Sequence, residues 1–476
     1  MAVALWPGGA APEACQPARW SQLGLFALSA SQGGAYLGFG LQYALLTPFV
    51  LELGVPMQWA SLIWLGGPIT GMIVQPLIGR LSDGSGACLA PLVRRFGRRR
   101  PFLGLGAVTL LFAQLLVGNS ADLGHWLGDS LVADLKTRAV CIFTLGFWLL
   151  DASNNALWVV SKSLIADVVL EEQWPHAFSV STAATGLGLA LGYVAGGVHW
   201  TSQPAFSWLE TEACNTAGGC ADLRFAFLLA GLVCVFANGC TLAVGKEEAP
   251  PQTDAGVRTP LVHQEERSIV STLRVVLGNQ ALLGTYSVTL LAWLGWISLQ
   301  IYQTEFVAKE VYNGSADITS PANKAYVAGV HAASQALVLN AILMTLTTFL
   351  IPAALRLVGK ARLWSLANAL TALMLVSSLF IRRAHAKAAS SAWLAVLGPL
   401  YGVQQTIPFL VVSEEARKDL LGELNGFLNV ALCIPQFLVS LLGGSIIAIA
   451  GSDSILFAAG AFCDVLAALA SLYFLA

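Results

Sequence analysis

"GKEEAPPQTDAGVRTPLVHQEERSIVSTLR", residues 245–274, is the longest polar stretch in a chain that is otherwise strongly apolar. On either side of it, apolar runs of roughly 20 residues alternate with short polar breaks, and about that many residues cross a bilayer as a helix. The runs fall at 23–50, 58–79, 102–119, 139–167, 177–199 and 223–244 before the break, and at 281–305, 326–355, 363–381, 391–412, 424–447 and 454–475 after it. The pattern predicts an all-α membrane protein of about twelve transmembrane helices in two six-helix bundles. Residues 1–22 form an N-terminal segment, 23–244 the first bundle, 245–280 a central loop and 281–476 the second bundle.

Composition agrees. Of 476 residues, 56% are hydrophobic and only 11% charged, against about 25% charged in a soluble domain. A formal net charge of -2 offers no basic surface of the kind nucleic acid requires. The first apolar run is longer than a secretory signal's core of about 7–15 residues, so it reads as a retained span. The nine cysteines show no C-x-x-C pair and no zinc spacing, and no metal or cofactor is implied. No nucleophile sits beside a base and no glycine loop cradles phosphate, so an enzyme is not expected.

Two halves of six spans are the layout of major-facilitator transporters, whose halves are parallel repeats. With the N-terminus placed in the cytoplasm, about sixteen basic residues fall on the inner side and about eight on the outer, as the positive-inside rule requires. The densest inner cluster is Arg94, Arg95, Arg98, Arg99 and Arg100. The sequon Asn313-Gly314-Ser315 then lies outside, where glycosylation is possible. Cys214 and Cys220 lie outside too, close enough in sequence for a loop disulfide.

The fourth run contains "WLLDASNNALWVVSKSLIADVV", residues 148–169. At 100° per residue, Asp151, Asn154, Asn155, Trp158 and Lys162 share one helix face. Asp151 and Lys162 are separated by about 16 Å of helix rise, too far for a direct ion pair. A charge facing lipid is costly, so such a stripe faces either a water-filled cavity on a solute path or the neighbouring helices it pins by hydrogen bonds. Apolar surroundings disfavour the charged form of a carboxylate, which would let Asp151 take up a proton from one side and release it to the other. Amides and an indole beside it suit a sugar, since amides meet hydroxyls and an aromatic ring covers the apolar face of a pyranose. Asp167 lies nearly opposite the stripe and reads as an interhelical acid.

These residues resemble a known family. The plant sucrose/proton symporters, in the glycoside-pentoside-hexuronide branch of the major facilitator superfamily, carry LD-x-x-NN followed by a basic residue and L-A-D. Here that is Leu150, Asp151, Asn154, Asn155, Lys162 and Ile165-Ala166-Asp167. Further similar stretches are "GLQYALLTPFVLELGVPMQWASLIWLGGPITGMIVQPLIG" (40–79), "RRFGRRRPF" (94–102), "ALGYVAGG" (190–197), "IPF" (407–409) and "LNVALCIPQ" (428–436). The resemblance implies an alternating-access carrier moving sucrose or a related glucoside with a proton. It also implies coupling at Asp151 and substrate contact at Lys162. The sequence departs from the family at Lys162 and His331, where arginine is usual, at Gln303 and Glu305, where two aspartates are usual, and at Met57, where plant members commonly have histidine. An imidazole as such can change charge near neutral pH, and His331 reads as either a second proton-handling group or a hydrogen-bonded packing residue.

Gln42, Tyr43, Trp293, Trp296, Gln436 and Glu305 are further candidates to line a cavity. Asp83 with Arg95, Arg98 and Arg99 resembles a gating loop of major facilitators, beyond simple charge anchoring. Gly188, Gly192 and Gly196 recur at four-residue spacing and flatten one face for close packing, as do Gly67 and Gly71. The expected partners are a disaccharide, a proton and the bilayer, with the protein a monomer in the plasma membrane rather than an internal one. An uncoupled sugar facilitator and a membrane sugar sensor are the competing readings.

Overall fold

The computed structural model describes residues 19–55, 63, 65–83, 93, 95–133, 135–198, 200, 204–214, 220–247, 269–315 and 320–475. Met57, Arg94, the start of the second run and the central loop from 248 to 268 lie outside the described residues. Among the described residues every regular element is helical.

Twelve of those helices have 18 residues or more. They are α1 (Gln22–Glu52), α2 (Gly66–Asp83), α3 (Arg100–Gly118), α4 (Thr137–Val168), α5 (Trp174–Gly197) and α6 (Cys220–Val244). After the polar break come α7 (Gln280–Phe306), α8 (Asn323–Thr348), α9 (Lys360–Ala384), α10 (Lys387–Glu415), α11 (Leu421–Ala450) and α12 (Ser454–Leu475). Among the described residues, the ten helices α3 to α12 are long and apolar enough to cross a membrane by length and hydropathy alone.

Local chemistry sets the helix ends. Pro101 occupies the first turn of α3, where its missing N–H costs nothing. The Asn279 side chain accepts from the Leu282 N–H at 3.0 Å and caps α7. Gly451, with φ of 72°, ends α11 in the left-handed conformation. The apolar run expected as one span over 326–355 is instead α8 followed by a separate short helix, Ile351–Val358, with Pro352 in its first turn. Within the expected central loop, the described part forms another short helix, Ile269–Gly278.

In the first half, α1 packs on α5 and α6, α3 on α4 and α6, and α2 on α4. In the second half, α12 packs on α7 and α9, α8 on α10, and α11 on α7. The halves meet chiefly through α2 against α11 and α5 against α8. Phe143, Phe147, Phe178 and Phe227 fill the first half, and Trp364, Phe306 and Phe457 the second. Outward-facing Leu105, Phe236 and Phe462 are more than half exposed, as a helix solvated by lipid tails requires. A Cβ on Gly188 would overlap the Gly33 carbonyl, so only glycine allows α5 this close to α1.

Successive helices alternate in direction. One end of the molecule carries Arg98–Arg100 (the arginine end), and the other carries the Cys214–Cys220 pair, which is bridged by a disulfide. Near this disulfide end the Asn313 amide lies 3.2 Å from Nδ1 of His385.

Candidate functional site

A cavity of about 660 Å³, part of it open to solvent, lies between the two halves. Its wall in the first half is made by Tyr36, Phe39 and Tyr43 of α1, Gly67 and Gln75 of α2, and Asp151, Asn155 and Trp158 of α4. Opposite stand Trp293, Ile297 and Gln300 of α7, Tyr401 of α10, and Asn429, Leu432, Cys433 and Gln436 of α11. Asp151 Oδ2 accepts hydrogen bonds from the Thr70 hydroxyl and, at 3.1 Å, from the Asn155 amide. The same amide reaches the Asp151 carbonyl at 3.0 Å, and its oxygen accepts from Gln75 at 2.7 Å. This chain of bonds holds the acid at the cavity wall in a defined direction. Tyr401 is fixed by the Gln405 amide at 2.6 Å and lies against Trp296, ring centroids 5.0 Å apart. Such a lining offers one carboxyl, several amides and phenols, and broad aromatic faces, a set matched to a hydroxyl-rich solute with an apolar face.

Toward the arginine end the halves close. Trp158 meets Phe409 of α10 edge-on at 5.0 Å. The Lys162 ammonium lies 5.1 Å from the Phe409 ring centre and 5.8 Å from that of Phe178. The Thr406 hydroxyl donates to Thr182 at 2.9 Å, and the Asn425 amide to Ser163 at 3.2 Å. Beyond this floor Arg99, fully buried, binds Asp83 at 2.6 Å, Asp167 at 2.8 Å and the Ser82 hydroxyl at 2.6 Å. Arg98 reaches Asp167 at 2.6 Å. Asp83 also accepts the backbone N–H groups of Gly422 and Glu423 at 2.9 and 2.7 Å. These N–H groups lie in the first turn of α11, where a helix favours an anion. The Asp83 carboxylate therefore fastens the first half to the second.

The Glu247 carboxylate accepts from the backbone of Arg99 at 2.7 Å and of Arg100 at 3.1 Å. Burial pushes its titration above the usual glutamate range, with the Arg99 charge opposing. Burial works against the charged form of Arg99 itself, but Asp167 and Asp83 outweigh it and hold its proton more tightly than usual. A buried guanidinium is tolerated here because carboxylates surround it.

Of the stripe on α4, the structure brings Asp151, Asn155 and Trp158 to the cavity. Asn154, fully buried, faces Gly38 of α1 and Gln114 of α3 inside the first half. Lys162 lies below the floor and off the cavity wall. Gln42 is buried in α1 and does not reach the wall. Glu305 pairs with Lys309 at 2.5 Å, away from the cavity. His331 is exposed on α8 and is not brought to Asp151. Of the gating set, Asp83, Arg98 and Arg99 meet in one network, while Arg95 stays outside it, 5.2 Å from the Phe96 ring centre. Sequence reasoning missed Tyr36, Gln75, Gln300, Tyr401 and Asn429 at the cavity and Glu247 in the network. For Gln75, Gln300 and Asn429 a signal was present, a lone amide inside an apolar run. Another buried acid, Asp464 of α12, sits beside Gly295 and away from the cavity.

Residues 28–440 match the Major Facilitator Superfamily. Sucrose transport protein SUT2 of Oryza sativa subsp. indica is 33% identical over 439 residues, 86% of this chain and 84% of that protein. Sucrose transport protein SUC4 of Arabidopsis thaliana is 31% identical over 438 residues, 86% of this chain and 81% of that protein. The chain belongs to the sucrose transporter family of this superfamily. Solved structures support the fold. The human organic anion transporter MFSD10 (TETRAN) superposes with a TM-score of 0.64 at 14% identity, over 95% of this chain and 100% of that one. A bacterial homologue of the iron transporter ferroportin, in an outward-facing state with soaked iron, gives 0.63 at 15% identity, over 96% and 98%.

This sucrose transporter family member is accordingly a multi-pass membrane transporter, not an enzyme, and has the major facilitator fold expected of it. The family's LD-x-x-NN run supplies the cavity wall through Asp151 and Asn155, and its GRRRPF run supplies the closed arginine end through Arg98 and Arg99.

Proposed function

We propose that the protein carries sucrose or a related glucoside together with a proton, by alternating access. The observation that bears the reading is the Asp151 carboxyl on the wall of a polar, aromatic cavity between the halves, held by Thr70 and Asn155. Protonation of Asp151 changes a hydrogen-bond acceptor at the substrate's own position, which links the two cargoes. The bundles 23–244 and 281–476 rock about this site, with the arginine end shut in the described state and access from the disulfide end. Under the positive-inside rule the arginine end and the N-terminus are cytoplasmic, and the plasma membrane is the expected location.

The test is uptake of labelled sucrose, maltose and other glucosides by purified protein in liposomes, with and without an inward proton gradient. Gradient-driven accumulation above equilibrium is expected. Equilibration that ignores the gradient would establish an uncoupled facilitator instead, and saturable binding without uptake would establish a sensor.

A further inference from the structure

Between the cavity and the arginine network lies a layer that, among the described residues, has no acid–base pairing across it. On the first-half side it consists of Trp158 and Lys162, one turn apart on α4, and of Phe178 and Thr182, one turn apart on α5. On the second-half side the layer is a single stretch of α10, Thr406-Ile407-Pro408-Phe409. Phe409 is 2% exposed, with Trp158 against it on the cavity side and the Lys162 ammonium within cation–π distance on the other. Lys162 is 1% exposed, and among the described residues its ammonium meets two aromatic faces and no carboxylate. A buried ammonium held only by rings is retained weakly, since a cation–π contact is a modest interaction. The backbone supplies an independent observation. Pro408 stands inside α10, where it removes one helix hydrogen bond directly before Phe409 and leaves the segment easier to bend.

We propose that Phe409 is the movable floor of the cavity, held shut by Trp158 and the Lys162 ammonium, and that α10 yields at Pro408 to withdraw it. This rests on the reading of the cavity as a transport path and assigns the barrier next to the cavity, inside the arginine network, to one aromatic side chain. The floor is cheap to open because the bonds across it are a cation–π pair, an aromatic edge and two neutral hydrogen bonds. The arginine network beyond it supplies the stronger closure.

The experiment needs no sugar. In detergent-purified protein with the cysteines outside the disulfide replaced by alanine, Ser163→Cys places a thiol in the seam beneath the floor, where Ser163 meets Asn425. A bulky thiol reagent reaches it only when the floor and seam part. Phe409→Leu, which keeps bulk but loses the ring face, should raise the labelling rate about tenfold, the scale set by losing one desolvated cation–π contact. Lys162→Met should raise it severalfold, and Phe409→Trp should leave it at the parental rate. A parental rate in Phe409→Leu overturns the floor assignment, and a parental rate in Lys162→Met overturns the part given to the ammonium. Should Phe409→Leu fail to purify as a monodisperse protein, Pro408→Ala decides. It restores the helix bond and should slow labelling, and an unchanged or faster rate overturns the hinge. Sucrose counterflow by the same proteins in liposomes reads the transport proposal separately, so neither result stands in for the other.

Discussion

Asp151 and Asn154 are neighbours on one turn of α4 and have different surroundings. Relative to Asp151, Asn155 is rotated about 40° one way and Asn154 about 60° the other, while Trp158 and Lys162 lie within about 20°. The cavity takes the side holding Asn155, and Asn154 turns toward Gly38 and Gln114. On the proposed coupling role, Asp151, with its carboxyl fixed by Thr70 and Asn155, gains and loses a proton without moving far. Asp151→Asn keeps the shape and the hydrogen-bond partners but cannot titrate. It should abolish gradient-driven sucrose accumulation while sparing equilibrium exchange, measured as counterflow in liposomes, and unchanged accumulation would remove the proton role. The sequence made the stripe legible because a 3.6-residue period fixes which residues share a face. It left the boundary of the cavity illegible, because that depends on which neighbour covers each edge of the stripe. Lys162 shows the same limit along the helix axis, since its angle is right and its depth places it under Phe409.

At the scale of elements, glycine spacing and capping were readable to different degrees. The Gly188 and Gly192 face was predicted flat and packs on α1 at Gly33, Leu37 and Gly40. Gly188→Val should force α5 off α1 and cost about 1–3 kcal/mol, seen as a lower melting temperature in detergent, and an unshifted midpoint would show that α1 gives way freely. The apolar run at 454–475 gave the start of α12 at Ser454, but not what fastens it there, because those contacts come from a distant element. Glu310, at the end of the turn Val307–Val311 that continues α7, accepts the Asp453 N–H at 2.6 Å and the Ser452 hydroxyl at 2.9 Å, and pairs with Arg382 at 2.9 Å. Asp453, in the link between α11 and α12, is thereby buried near Glu310. Burial, then the Glu310 and Glu305 charges, push its titration up to about 7 from 3.8. The folded state thus holds this proton more tightly than the unfolded chain. Stability should fall as pH rises from about 4 to about 7 and level off above that. Asp453→Asn should flatten this part of the melting-temperature profile and raise the midpoint at pH 8 relative to the parent. Parallel profiles for the two proteins would sink the assignment.

For the whole molecule, the polar break at residues 245–274 made two halves of six helices readable, because lipid forces every span into a helix and loops into water. What the sequence did not disclose is the state in which the halves meet, since that depends on long-range contacts between segments far apart in the chain. Asp83 and Gly422 are the clearest such pair, joined across the halves by a hydrogen bond at 2.9 Å. The arginine end is shut by one carboxylate that serves two masters, the Arg99 guanidinium within its own half and the N-terminus of α11 in the other. Asp83→Asn removes the negative charge from both, and leaves Arg99 with Asp167 and the Glu247 contact. The network inside the first half should therefore survive while the fastening between halves weakens. Charge-assisted hydrogen bonds are roughly twice as strong as neutral ones, so two of them lost together should move the balance of states toward an open arginine end by at least about tenfold. Paired spin labels at the ends of α2 and α11, read as distance distributions, should show a new population at longer separation in the variant. On the proposed alternating-access motion, in which the two bundles turn about one central site, the disulfide end should close in the same molecules. If the arginine end opened with no answering change at the disulfide end, the halves would not be moving as rigid bundles.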